Sequence, residues 1–122
     1  MKKLLVLLLP VLLLCSSFQK KKPKAKLKAN YAVAIPACIK QKIESFKKLQ
    51  KYEQPQRIVE YVYDGKKVYY VVAPCCDQFN MLYDSNCNLM GNPDGGFTGK
   101  GDGKFPDFAQ ARTNEKLIWE NK

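Results

Sequence analysis

Between Pro93 and Phe108 the chain reads PDGGFTGKGDGKFPDF, with five glycines and three aspartates among sixteen residues. Such a run could cradle a phosphate, hold a metal ion, present a loop to a partner, or turn corners. A phosphate loop needs G-x-x-x-x-G-K-[ST] between a strand and a helix. Here Asp94 stands where the first glycine belongs and Gly101 where the hydroxyl belongs. Calcium needs several converging oxygens, usually with one bidentate acid. Asp94, Asp102 and Asp107 are weak candidate ligands for an irregular calcium loop. The upstream run DSNCNLMGNPDG imitates an EF-hand at Asp84, Asn86 and Asn88. It then fails, with Leu89 at the glycine position and Gly95 at the terminal glutamate position. The reading preferred on residue types is structural: glycines supply positive φ for successive turns, and Asp94 and Asp102 bond to neighbouring backbone N–H groups. A binding loop made of Asp94, Gly95, Gly96, Gly99, Lys100, Gly101, Asp102 and Gly103 is the second use. Its free N–H groups and Lys100 would face an anionic or peptide ligand.

Catalytic chemistry has little to work with. The chain contains no histidine, which removes the commonest general base, Ser-His and Cys-His nucleophile pairs, and most zinc sites. A thiol oxidoreductase normally shows C-x-x-C at a helix N-terminus, whereas Cys75 and Cys76 are adjacent at a strand end. No catalytic residue and no cofactor is expected, and the chain reads as a non-enzyme.

The cysteines also speak to compartment. The opening MKKLLVLLLPVLLLCSS places two lysines before an apolar stretch, Leu4 to Leu14, followed by small residues. That is the layout of a signal peptide, too short for a transmembrane helix. Cys15 closes the apolar run as a lipidated cysteine does in a lipoprotein, which is the favoured reading. Ordinary cleavage after Ser17 and an uncleaved signal are the rivals. Beyond Cys15 four cysteines remain, Cys38, Cys75, Cys76 and Cys87, an even number for an oxidising compartment. Joining Cys75 to Cys76 closes a strained ring, so the expectation is that one of them pairs with Cys38 and the other with Cys87.

Charge divides the chain. Of the formal +10, the lysines at positions 2, 3, 20, 21, 22, 24, 26 and 28 supply eight, leaving +2 for residues 29–122. Residues 18–30 therefore read as an extended lysine-rich tether that could rest on anionic lipid or cell-wall polymer. The nearly neutral remainder, 31–122, is one small domain without the basic face that nucleic acid requires.

Several elements would have to position the loop. The stretch IPACIKQKIESFKKLQK is amphipathic, with Ile39, Ile43 and Phe46 at helical spacing and Leu49 and Gln50 completing the face. Pro36 suits its first turn, and Glu44 pairs with Lys48. Two β-branched and aromatic runs, Arg57–Tyr63 and Lys66–Ala73, flank Asp64-Gly65, which favours a type I′ hairpin. A third strand is expected over Phe79–Tyr83, a turn over Asp84–Asn88, and a short return through Leu89 and Met90. A helical turn can start at Pro106, and EKLIWEN can close the sheet with Leu117 and Trp119 on one face. The expectation is a two-layer α+β domain: an N-terminal amphipathic helix packed on an antiparallel meander of three to five strands, linked by disulfides.

With CCDQFNMLYD, the glycine run and KLIWEN in view, the sequence resembles a family of small bacterial envelope proteins and lipoproteins described only as a domain of unknown function. The likeness runs from about Cys38 to the C-terminus, and its specific blocks are CCDQFN and DGGxTGxGDG. The resemblance implies export and a single small domain and carries no activity. That family often has cysteines near the positions of Gly91 and Phe105, where this chain has none, and Cys87 is less usual in it. The functional expectation is a secreted or lipid-anchored envelope domain that binds an envelope protein or polymer or plays a structural part. The alternative is a calcium-binding or thiol-redox protein.

Overall fold

The computed structural model describes residues 34–122; the signal segment, Cys15 and the lysine tether lie outside the described residues. Helix α1 (Ala37–Lys47) is followed by a single 3-10 turn at Lys51–Glu53. Strands β1 (Arg57–Tyr63), β2 (Lys66–Val72), β3 (Met81–Asp84) and β4 (Leu89–Gly91) come next, then a short helix α2 (Phe108–Ala111) and strand β5 (Thr113–Glu120). All strand pairs are antiparallel, in the order β4-β3-β2-β1-β5. The domain is mixed α+β, as its patterning predicts.

Proline starts α1 from outside. Pro36 is the N-cap, and its carbonyl accepts the N–H groups of Ile39 and Lys40 at 3.0 and 3.1 Å. The helix is shorter than its amphipathic run. It stops at Lys47, so Leu49 leaves the apolar face and stands exposed beyond it. The carboxylate of Glu44 meets Lys47 at 2.7 Å rather than Lys48. The β1–β2 hairpin turns at Asp64 (φ 49°) and Gly65 (φ 70°), the left-handed pair of a type I′ turn.

Strand alternation builds two cores. Ile58 of β1, Tyr69 and Val71 of β2 and Tyr83 of β3 point to one face, where Ile39 and Ile43 of α1 cover them. Val59 and Tyr61, Val68 and Tyr70, and Leu82 point to the other. The expectation of two layers fails at that second face. Instead of facing solvent, it is covered by Phe108 of α2, with Phe105 packed alongside. The β4–β5 connection therefore crosses the sheet from one edge to the other and carries the glycine run with it.

The cysteine pairing expected from the sequence is also corrected. Cys38, in the first turn of α1, is bonded to Cys87 in the β3–β4 turn, with Cα atoms 6.1 Å apart. Cys75 is joined to its neighbour Cys76. Position decides the matter. Cys87 lies beside the start of β2, where Ser85 Oγ donates to the Lys67 carbonyl, while Cys75 follows the end of β2. A strand of that length separates the two by roughly 20 Å, at 3.3 Å per residue.

Strand β5 differs from its expected facing too. Its pairing with β1 is interrupted by register shifts between Ile58 and Val59 and between Glu60 and Val62. The first lets Ile118 and Trp119, neighbours in sequence, both pack against the α1-side core, while Leu117 turns outward and is exposed.

Candidate functional site

The loops at one end of the sheet gather around the glycine run. The β2–β3 connection, residues 73–80, forms the brace. Asn80 is its centre: Oδ1 accepts the Ala73 N–H at 2.8 Å and Nδ2 donates to Asp94 Oδ1 at 2.7 Å. Its backbone N–H donates to the Asp94 carbonyl at 3.2 Å. Phe79 forms a bridge with Gly95, and the Gly96 N–H donates to the Gln78 carbonyl at 3.0 Å. The run thus adds a short ribbon to the end of the sheet.

Beyond that ribbon the chain doubles back. The Gly99 N–H donates to Gly96 at 3.2 Å, and the Gly101 N–H donates to Gly95 at 3.1 Å. Gly95, Gly96, Gly99, Gly101 and Gly103 all have φ between 62° and 78°. At Gly101 the requirement is double, because a Cβ would also run into the Asn92 carbonyl and approach the Asp94 nitrogen at 2.7 Å. Only glycine fits there.

Each aspartate has its own work. Asp94 is turned inward and accepts the Tyr70 phenol as well as Asn80, so its partners are side chains and not the neighbouring N–H groups expected. Burial first, and then donation to Asp94, holds the Tyr70 phenol well above the usual tyrosine range. Asp102 accepts the Asn92 N–H at 2.9 Å and the Lys104 N–H at 3.0 Å. The Lys104 amide is the largest influence holding its carboxyl below the usual range. Asp107 accepts the Tyr63 hydroxyl at 2.8 Å. The three do not converge, and among the described residues no group of three His, Cys, Asp or Glu is placed to hold a metal. Asp84, the start of the false EF-hand, instead caps its own turn by accepting the Asn86 and Asn88 N–H groups, each at 2.9 Å.

What the loop offers outward is aromatic. Phe97, at the tip between Gly96 and Gly99, is 92% exposed, with Thr98 and Lys100 beside it. The Phe79 ring lies against Gly96 and is itself half exposed. On the other side of the run a cavity of about 400 Å³ is lined by Asp94, Lys100, Phe105, Phe108 and Gln110 among others. Arg112 closes the aromatic cluster below it, its guanidinium 4.5 Å from the Tyr61 ring and 5.1 Å from Phe108. Sequence reasoning singled out the glycines, Asp94, Lys100 and Asp102, which share this loop, but missed Asn80, Tyr70, Phe79 and Phe97. The signal for Phe97 was in plain view: a large apolar residue flanked by glycines at a turn has nowhere to bury itself.

Fold and site together define a small disulfide-linked α+β domain that presents a braced, glycine-rich hairpin. Residues 44–121 match the family described as Domain of unknown function (DUF6970), and the chain belongs to that family. The match begins inside α1, after Cys38. No curated protein and no solved structure matches the chain.

Proposed function

We propose that this is a non-enzymatic binding domain of the cell envelope, exported and held by a lipid on Cys15 or by its basic tether, with the glycine hairpin as its contact loop. The observation that carries the reading is the position of Phe97: nearly fully exposed on a hairpin otherwise tied down by Asp94, Asn80 and Tyr70. An exposed aromatic carried on a hydrogen-bonded loop, whose backbone has little freedom left to lose, is what an interface anchor needs. Lys100 beside it would meet an acidic or carbonyl-rich surface.

The geometry orients the loop usefully. The N-terminus of α1 is bonded to the β3–β4 turn at one end of the sheet, and the glycine hairpin lies at the other. A chain tethered through the residues before α1 would hold Phe97 at the far end of the domain. Capture from envelope extracts tests the reading, using wild type, Phe97→Ala and, at the opposite end, Lys66→Ala. The expected result is a partner retained by wild type and Lys66→Ala, lost by Phe97→Ala, and indifferent to a chelator. Equal retention by Phe97→Ala would sink the proposal, and loss on chelation would favour calcium. Membrane partitioning of Cys15→Ala tests the anchor separately: release or blocked processing is expected.

A further inference from the structure

The two cysteine pairs sit in opposite environments. Cys38 and Cys87 are partly buried and packed against the α1-side core. Cys75 and Cys76 are both exposed and belong to neither core cluster. With Cys38 and Cys87 committed to each other at the far end of the sheet, Cys75 and Cys76 have, among the cysteines of the described residues, only one another within reach.

Adjacency makes that pair unlike an ordinary cross-link. Consecutive Cα atoms are held about 3.8 Å apart by the peptide between them, and here they stand at 3.7 Å. Disulfides usually span about 4.4–6.8 Å between Cα atoms, and departures from that range make the bond easier to reduce. A bond between neighbours also closes almost no loop, so it removes little entropy from the unfolded chain. Structural benefit is small and access is open.

The surrounding loop does not need the sulfur bond. On one side Gln56 Nε2 donates to the Pro74 carbonyl at 3.2 Å, and the Ala73 N–H is taken by Asn80. On the other side the Gln78 carbonyl accepts from Gly96. Both ends of the turn are therefore fixed by hydrogen bonds that survive whatever happens at residues 75 and 76.

We propose that Cys75–Cys76 is a solvent-facing redox pair that a dithiol reductant opens by thiol–disulfide exchange, while Cys38–Cys87 stays closed. A thiolate of the reductant attacks one sulfur, the Cys75–Cys76 bond breaks, and the expelled sulfur leaves as a thiolate and takes up a proton. The reductant's second thiol, giving up its proton, then displaces the first sulfur. Two electrons pass to the protein, the reductant closes its own disulfide, and the chain is left with two neighbouring thiols. Such a pair is a bidentate ligand for a soft, thiophilic centre, and a trivalent arsenical reports its presence.

The test is graded reduction of the folded full chain with dithiothreitol, followed by alkylation mapped by peptide mass. The peptide holding Cys75 and Cys76 should gain two labels at a reductant concentration at least tenfold below that needed to label Cys38 and Cys87. One phenylarsine oxide per chain should then block both labels, and Cys75→Ser should abolish the uptake without unfolding the domain. Labelling of Cys38 and Cys87 first or together, labelling of Cys75 and Cys76 before any reductant is added, or failure of the arsenical to protect them would each overturn the proposal.

Discussion

The phenol of Tyr70 shares its proton between both carboxylate oxygens of Asp94, at 2.7 and 2.8 Å, across 24 residues of sequence. This contact ties a central strand to the start of the glycine hairpin. It also takes the first aspartate of the run out of contention as a freely exposed ligand.

Tyr70→Phe keeps the ring in the core and removes the donor, leaving Asp94 to Asn80 alone. A loss of about 1–3 kcal/mol is expected. Asp94→Asn weakens the same contact from the other side, so the double substitution should cost less than the two singles added. Denaturant midpoints measure this, and additivity within about 0.5 kcal/mol would mean the two groups do not support each other.

Gly101→Ala and Gly103→Ala separate conformational strain from collision. Both residues have positive φ, but a Cβ on Gly103 meets open space while one on Gly101 meets backbone. Gly103→Ala should cost about 1 kcal/mol. Gly101→Ala should cost clearly more, and should loosen the hairpin, seen as faster amide exchange at Gly96. Equal costs would show that the hairpin shifts freely.

Acid sensitivity should trace to turn-capping carboxylates. Backbone amides hold Asp84 and Asp102 below the usual aspartate range, the Asn88 amide first for Asp84 and the Lys104 amide first for Asp102. A lowered folded-state value means that their support is present above the ordinary value near 4 and is lost as pH falls through the lower folded value. Melting temperature should therefore drop below about pH 4, with a shallower drop in Asp84→Asn and Asp102→Asn. Calcium should move none of these curves; a calcium shift of several degrees that vanished in Asp102→Asn would reinstate a metal loop.

Removing Cys38–Cys87 should be costly. The bond closes a loop with a sequence separation of 49, for which the chain-entropy model gives about 4 kcal/mol. The paired change Cys38→Ala with Cys87→Ala should show it in denaturant midpoint, whereas Cys75→Ser with Cys76→Ser should leave the midpoint nearly unchanged.

Local signals were the legible ones. Asp64-Gly65 between β-branched runs specified the hairpin, and the Ile39 and Ile43 spacing specified the buried face of α1. The cover of the second face was not legible, because Phe105 and Phe108 lie among glycines, prolines and aspartates with no period to mark them. A hint existed in the strands: in IVEYVY and VYYVV both phases of the alternation are apolar, as befits strands buried on two sides. The disulfide pairing failed because sequence separation carries no information about which end of a sheet a turn occupies. Within the site the glycines announced themselves. Asn80 and Tyr70 did not, since Asn80 is an ordinary residue of the β2–β3 connection and Tyr70 an ordinary residue of β2, and each acquires its role only when Asp94 arrives from elsewhere.

The crossing of the β4–β5 connection bears on how the chain reaches its native state. β1 forms early in the sequence, yet its outer partner is β5, so Arg57 waits for Glu120. The lid over the second core, Phe108, likewise comes after β1–β4 in the chain. Contacts of such high sequence separation slow folding, because the closure entropy must be met before the contacts reward it. Without the Phe105–Phe108 segment and β5 in place, Val59, Tyr61, Val68, Tyr70 and Leu82 would form an open apolar surface beside an unpaired β1 edge. Until β5 and Phe108 dock, that face would be open to self-association, and a helper acting on the unfinished domain would have this surface to meet.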